Sequence, residues 1–169
     1  MLLCVLIFCF AAIPVPKDGE PTDANTVKAL FIYNFTKQIE WPLSSVSGAK
    51  FTISVLQNEE LANSITEILK GRKIFDKLIL VKNVSTAKEI IGSQILFIPK
   101  GKITKIRNEL SSISENGLLI ISEEKTLPAI SSINLTEKNN QMRFELNLAA
   151  IKRQNLKTSN VLIKLAINS

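Results

Sequence analysis

The side chains able to do chemistry in this chain are carboxylates, lysines and hydroxyls. The chain contains no histidine, and its two cysteines, Cys4 and Cys9, both stand in the first apolar run. A Ser-His-Asp or Cys-His arrangement therefore cannot be assembled, nor a conventional zinc or copper site. Paired carboxylates remain, at Glu59-Glu60 and Glu123-Glu124. General acid–base work needs two carboxylates converging on one cleft. Both pairs fall instead at predicted helix or loop starts, where acids complement the positive end of a helix dipole. Gly71, Gly92, Gly101 and Gly117 are isolated glycines behind predicted elements, which is turn chemistry rather than a phosphate-binding loop. The residue types predict no catalytic residue, no metal and no cofactor. A hydrolase with an unconventional carboxylate site ranks last among the readings.

Recognition chemistry is better represented. Lys plus Arg is 21 against 15 Asp plus Glu, a net charge of +6. Such a balance suits nucleic acid when the cations cluster and interleave with aromatics. The best cluster, Lys100, Lys102, Lys105 and Arg107, has no interleaved aromatic. No nucleic-acid partner is expected, and the charge reads as a solvated basic surface. Trp41, the single tryptophan, precedes Pro42 in a predicted loop. It either plugs the edge of the core or forms an exposed anchor for a partner. Arg143, Glu145 and Asn147 alternate with Phe144 and Leu146, so they share the outer side of a strand, as a solvent face or a recognition face. Asn34 falls on an apolar helical stripe beside Phe31 and Phe35. A buried amide needs partners, which predicts a structural helix-to-loop hydrogen bond.

A regular framework must hold these residues. Thr22 to Asn25 offers N-cap oxygens for a first helix, with Val27, Leu30, Phe31, Phe35 and Ile39 as its apolar stripe. Pro42 disfavours helical geometry at Trp41, so this helix should end near Gln38 to Glu40. A strand over 51–56 precedes a helix over 59–70, closed by Gly71. A β-rich stretch at 74–81 and a short helix at 85–91 follow. Ile95-Leu96-Phe97-Ile98 reads as a strand buried on both faces and stopped by Pro99. Ile103, Ile106, Leu110 and Ile113 mark another helix, and Asn116-Gly117 turns the chain into a strand at 118–121. This stretch shows no hairpin signal. The fold class implied is α/β, a mostly parallel sheet flanked by helices on both faces.

The C-terminal third adds a β-hairpin and a final helix. Placing Asn139-Asn140 in a two-residue turn, where asparagine tolerates positive φ, sets Leu135 against Phe144 and Ile133 against Leu146. Thr158 or Ser159 then caps a helix whose Val161, Leu162, Leu165 and Ala166 face inward.

Residues 1–12 read as a signal peptide. Leu2 to Ile13 is apolar and uncharged, shorter than the ~20 residues that a membrane span needs. It matches the apolar core of a secretory signal, with Ala11 and Ala12 as a cleavage point, although a basic n-region is missing. Phe8 before Cys9 argues against a lipid anchor. Pro14, Pro16, Gly19 and Pro21 make residues 13–23 an extended linker, leaving 24–169 as a single domain. Signal cleavage leaves a mature chain without cysteine, hence without disulfides, and without an integral membrane span.

A resemblance enters at named residues. Val27-Lys28-Ala29-Leu30-Phe31-Ile32-Tyr33-Asn34-Phe35 followed by Ile39-Glu40-Trp41-Pro42 resembles the opening signature of the YfiR family. So do Phe51 to Leu56 and Gly71-Arg72. The ending is closer still, with Met142-Arg143-Phe144-Glu145-Leu146-Asn147, Ala149-Ala150, Leu156 and Val161 to Ala166. The resemblance implies a periplasmic, non-enzymatic regulator. It would dock on the periplasmic part of an inner-membrane sensor such as the diguanylate cyclase YfiN and repress it, lowering cyclic di-GMP and biofilm formation. The relatives also suggest a homodimer. Their redox-sensitive cysteines have no counterpart in residues 24–169. Candidate contacts to the partner are Phe31, Tyr33, Trp41, Arg72 and Arg143, while Asn34 and Asn147 are structural polar groups. Repression would be a population shift, the sensor's inactive state being bound more tightly. The alternative is a periplasmic small-ligand module reporting to a sensor kinase or outer-membrane receptor. Its pocket would sit at the carboxyl ends of parallel strands, near Gln57-Asn58, Pro99-Lys100 and Ser122-Glu123.

Overall fold

A computed structural model describes residues 23–111 and 116–167. The apolar runs assemble into a seven-stranded sheet in the order β3-β4-β2-β5-β6-β7-β8. Five parallel strands form its centre: β4 (Lys77–Val84), β2 (Lys50–Leu56), β5 (Ile95–Ile98), β6 (Leu119–Ser122) and β7 (Ile133–Lys138). They need apolar side chains on both sides because helices cover both faces. One face carries Ile53, Val55, Phe97, Ile121 and Leu135 beneath α1 (Ala24–Thr36) and α2 (Glu59–Ile68). The other carries Leu56, Leu96, Ile98 and Ile120, packed against a 3-10 turn at Ala87–Ile90 and α3 (Ile103–Ser111). The predicted α/β architecture is therefore the observed one, with the hairpin and final helix in place.

Two antiparallel strands close the sheet, β3 (Lys73–Ile74) against β4 and β8 (Gln141–Leu146) against β7. In the second hairpin Leu135 pairs with Phe144 and Ile133 with Leu146, and Asn139 and Asn140 have φ of 54° and 56°. The first hairpin is one the sequence did not reveal. Its turn residues, Phe75 and Asp76, have φ of 50° and 59°, where bulky side chains are strained. The Phe75 ring compensates by packing 5.9 Å from Trp41 and 6.1 Å from Phe51. That contact is tertiary, so no local turn signal announces it.

Other departures have equally specific causes. Asp23 caps α1, its carboxylate accepting from the Thr26 N–H at 3.2 Å, but the helix stops at Thr36. Ile39 belongs instead to β1 (Ile39–Glu40), paired with β9 (Lys157–Thr158). The inward residues of α1 are Ala29, Ile32, Phe35 and Thr36, so the stripe through Leu30 and Phe31 is rotated from the expected one. Asn147 starts an unforeseen short helix, α4 (Leu148–Arg153). Ser159 caps α5 (Asn160–Leu165), in which Leu162 is buried while Val161 and Leu165 face solvent. The expectations for residues 1–22 and for Ile113 lie outside the described residues.

Candidate partner-binding site

The C-terminal half of α1 is pinned from one side. Ser159 donates its backbone N–H to the Gln38 carbonyl at 2.9 Å and its hydroxyl to Gln38 Oε1 at 2.6 Å. With the β1·β9 pairing, these bonds set α5 alongside α1. Two surface cavities flank this end of α1, and Lys37 lines both.

The first cavity, about 510 Å³, is walled by Tyr33, Glu40, Trp41, Lys73 and Phe75. Lys37 Nζ sits 4.3 Å from the Tyr33 ring centre and the Arg72 guanidinium 4.9 Å. One aromatic face system thus orders two cations. Gly71, with φ of 73°, turns the chain just after α2 and delivers Arg72 to the Tyr33 ring. Trp41 is only 7% exposed, edge-on to Phe51 at 5.4 Å. It is the plug of the core's edge rather than an exposed anchor, and its indole N–H is buried without a partner.

The second cavity, about 400 Å³, is an apolar groove between α1 and α5. Phe31, Phe35 and Phe144 form its floor, with ring centres 5.2–6.2 Å apart. Leu30, Val161 and Leu165 are its walls, at 40%, 57% and 63% exposure. The last two were expected inside. A six-residue helix against one groove edge buries a single row, and Leu162 occupies it.

Tyr33 and Arg72 therefore meet, Trp41 walls the same cavity as Tyr33, and Phe31 lines the adjoining groove. Arg143 does not join them. It is exposed on the outer side of β8, its guanidinium donating to Gln141 Oε1 at 2.6 Å. Asn34 is exposed at the groove, so the expected buried amide is corrected: the rotation of α1 turns it to solvent. Asn147 is structural. Its Oδ1 accepts from the Ala150 N–H at 3.0 Å and its Nδ2 donates to the Ala129 carbonyl at 3.1 Å. Lys37 and Phe75 were missed. The i,i+4 spacing of Tyr33 and Lys37 was a readable signal, whereas nothing local marks Phe75.

At the carboxyl ends of β5, β6 and β7 lies a third cavity, about 310 Å³, lined by Lys28, Lys100, Glu123, Glu124, Lys125 and Glu137 among others. Lys28 and Glu123 pair across it at 2.9 Å. Gln57 and Asn58 are not part of it. Beneath it Asn134, fully buried, accepts from the Ser122 hydroxyl and the Glu124 N–H, and donates to the Glu124 carbonyl and Glu145. All its hydrogen-bonding capacity is spent on structure. Among the described residues no group of three or more His, Cys, Asp or Glu is placed to hold a metal ion, and no helix is long and apolar enough to cross a membrane.

No curated protein matches the chain. A family model described as YfiR/HmsC-like matches residues 25–167, from the first turn of α1 to the segment after α5. That span takes in the whole sheet and both cavities along α1, and the chain belongs to the YfiR/HmsC-like family.

Proposed function

We propose that this protein is an exported regulator that docks on the periplasmic part of an inner-membrane diguanylate cyclase and holds it inactive. The match to the YfiR/HmsC-like family over residues 25–167 carries this reading. The surface adds chemistry suited to it. An apolar groove with Leu30, Val161 and Leu165 exposed sits beside a cation–aromatic cleft with Tyr33, Lys37 and Arg72. Apolar anchors next to an arginine held by an aromatic ring are the usual composition of an interface centre. The occupant we assign is a periplasmic segment of the cyclase, apolar where it meets the groove and acidic where it meets Lys37 and Arg72. Repression requires tighter binding to the inactive sensor. Moving a sensor from mostly active to mostly inactive takes a differential of about 10⁴ in affinity.

The test is cellular cyclic di-GMP with and without the chain, in a strain carrying its membrane cyclase. The level should fall when the chain is exported. Leu165→Asp and Arg72→Glu, both at exposed positions, should abolish the fall without lowering the thermal midpoint. An unchanged level with a folded, exported chain removes the regulatory reading. Full repression by both variants removes this surface.

The third cavity supports the second reading, a small-ligand module, because polar groups line the carboxyl ends of β5 and β6 where parallel sheets commonly bind ligands. Thermal shift against a panel of small metabolites, repeated with Lys100→Ala, separates it from the first.

A further inference from the structure

The two edges of the sheet are treated differently. At β8 the C-terminal segment bonds to the edge, the Ile167 N–H donating to the Phe144 carbonyl at 3.0 Å. At the other edge β3 covers only Lys77 and Leu78 of β4, through the pairs Ile74↔Lys77 and Lys73↔Leu78. Beyond them β4 runs on to Val84 with β2 on one side only. The Val84 carbonyl accepts from Gln57 N–H, next to the end of β2. Even-numbered residues of β4 therefore direct their backbone groups to β2, and Ile79, Val81 and Asn83 direct theirs outward. Among the described residues no backbone group meets these three from the open side.

The open edge is also apolar. Leu78 is 58% exposed, and Ile79, Leu80 and Val81 are half-buried. A long apolar edge is normally shortened, charged or covered. Alongside it lies a cavity of about 230 Å³ between the end of α2 and β4, with Leu69, Gly71, Leu78, Ile79 and Val81 in its wall. An added strand places every second side chain on one face, and this cavity is where such a side chain would enter.

We propose that the open edge of β4 is a strand-addition site, taking an extended segment of a partner polypeptide with alternate apolar residues and flanking carboxylates. Charge selects this occupant. The elements framing the edge carry Lys70, Arg72, Lys73, Lys77 and Lys82 against Glu67 and Asp76; Glu67 is already paired with Lys70 at 3.5 Å, and Lys82 lies beside Glu89, donating to its carbonyl at 2.7 Å. A second copy would bring the same cations to the seam, whereas an acid-flanked strand neutralises them. Backbone bonds supply the affinity in this mode and alternate pockets the selectivity. The proposal rests on the edge alone and stands whether or not the regulatory reading does.

The probe is a short synthetic peptide of alternating valine and threonine with glutamates at both ends, added to the whole chain. Amide exchange is followed by NMR. With peptide, the Ile79, Val81 and Asn83 amides should exchange at least about tenfold more slowly, those of Leu80 and Lys82 staying as they were. A peptide N-methylated on the amides that would face β4 should give no protection. Val81→Pro should also lose it, since a proline is tolerated where the N–H points outward; the methylated peptide makes the same test without altering the fold. Equal protection by a lysine-flanked peptide overturns the proposal, as does none at millimolar peptide. Protection of these amides before peptide is added overturns it too: growing with protein concentration it identifies a second copy, and independent of concentration it identifies another segment of the same chain.

Discussion

Trp41 is the only tryptophan, so intrinsic fluorescence reports one place, the seam between the loop at Pro42 and the core. Its ring meets Phe51 and Phe75 edge-on, and its N–H has no partner. An unsatisfied buried donor costs about 1–3 kcal/mol. Trp41→Phe removes that donor together with some packing, and the two effects oppose. Urea unfolding should show a change within about 1.5 kcal/mol, against about 3–5 kcal/mol for Trp41→Ala. Gln94 is the opposite case, a buried side chain fully used. Its Oε1 accepts from the Thr52 N–H at 2.7 Å, and its Nε2 donates to the Ser45 and Gly92 carbonyls at 2.7 and 3.1 Å. Gln94→Leu strands the Thr52 donor and the Ser45 acceptor, and should cost roughly 2–4 kcal/mol in the same measurement. Glutamine before an apolar strand looks like a surface residue, so nothing in its neighbours pointed to this role.

At the scale of elements, one glycine allows two loops to touch. Gly117 has φ of 86°, and a Cβ there would lie 2.4 Å from Ser45 Oγ and 3.2 Å from Pro42 Cγ. Ser45 cannot turn away freely, because its hydroxyl donates to the Pro42 carbonyl at 2.8 Å. Gly117→Ala combines left-handed strain with this clash and should cost about 2–4 kcal/mol by denaturant unfolding. The 3-10 turn has a capping box instead. The Thr86 hydroxyl donates to Glu89 Oε1 at 2.7 Å, and the Thr86 and Ser85 N–H groups also point to the carboxylate. That hydroxyl, then the backbone donors, hold the Glu89 carboxyl below its ordinary pKa. A lowered folded pKa contributes stability above the ordinary carboxylate value, which is lost as pH falls through the folded one. Thr86→Ala should therefore flatten the dependence of the thermal midpoint on pH across the acid range, with the direction of the wild-type slope unchanged. The group is exposed, and the effect is correspondingly small.

For the molecule as a whole, the sheet carries stability without covalent help. No cysteine occurs after Cys9, so unfolding curves of residues 24–169 with and without reductant should superimpose. A reductant-dependent midpoint would contradict this. Much of the framework was legible because its signals are local. Unbroken apolar runs marked β5 and β6 as strands covered on both faces, and alternation around Asn139-Asn140 set the pairs Leu135↔Phe144 and Ile133↔Leu146. Alternation has period two, so a slip of one residue would turn every apolar side chain to water. The rotation of α1 was not legible, since Leu30, Phe31, Ile32 and Phe35 are all apolar and admit more than one inward face. Which face turns inward depends on what packs against it. The cleft and the groove belong to the same class. Tyr33 meets Arg72 from the end of α2, and Trp41 meets Phe75 from a strained turn. Phe31 meets Val161 and Leu165 from the far end of the chain. Spacing along a chain encodes periodicity, whereas the meeting of distant segments depends on the shared burial energy of all of them at once.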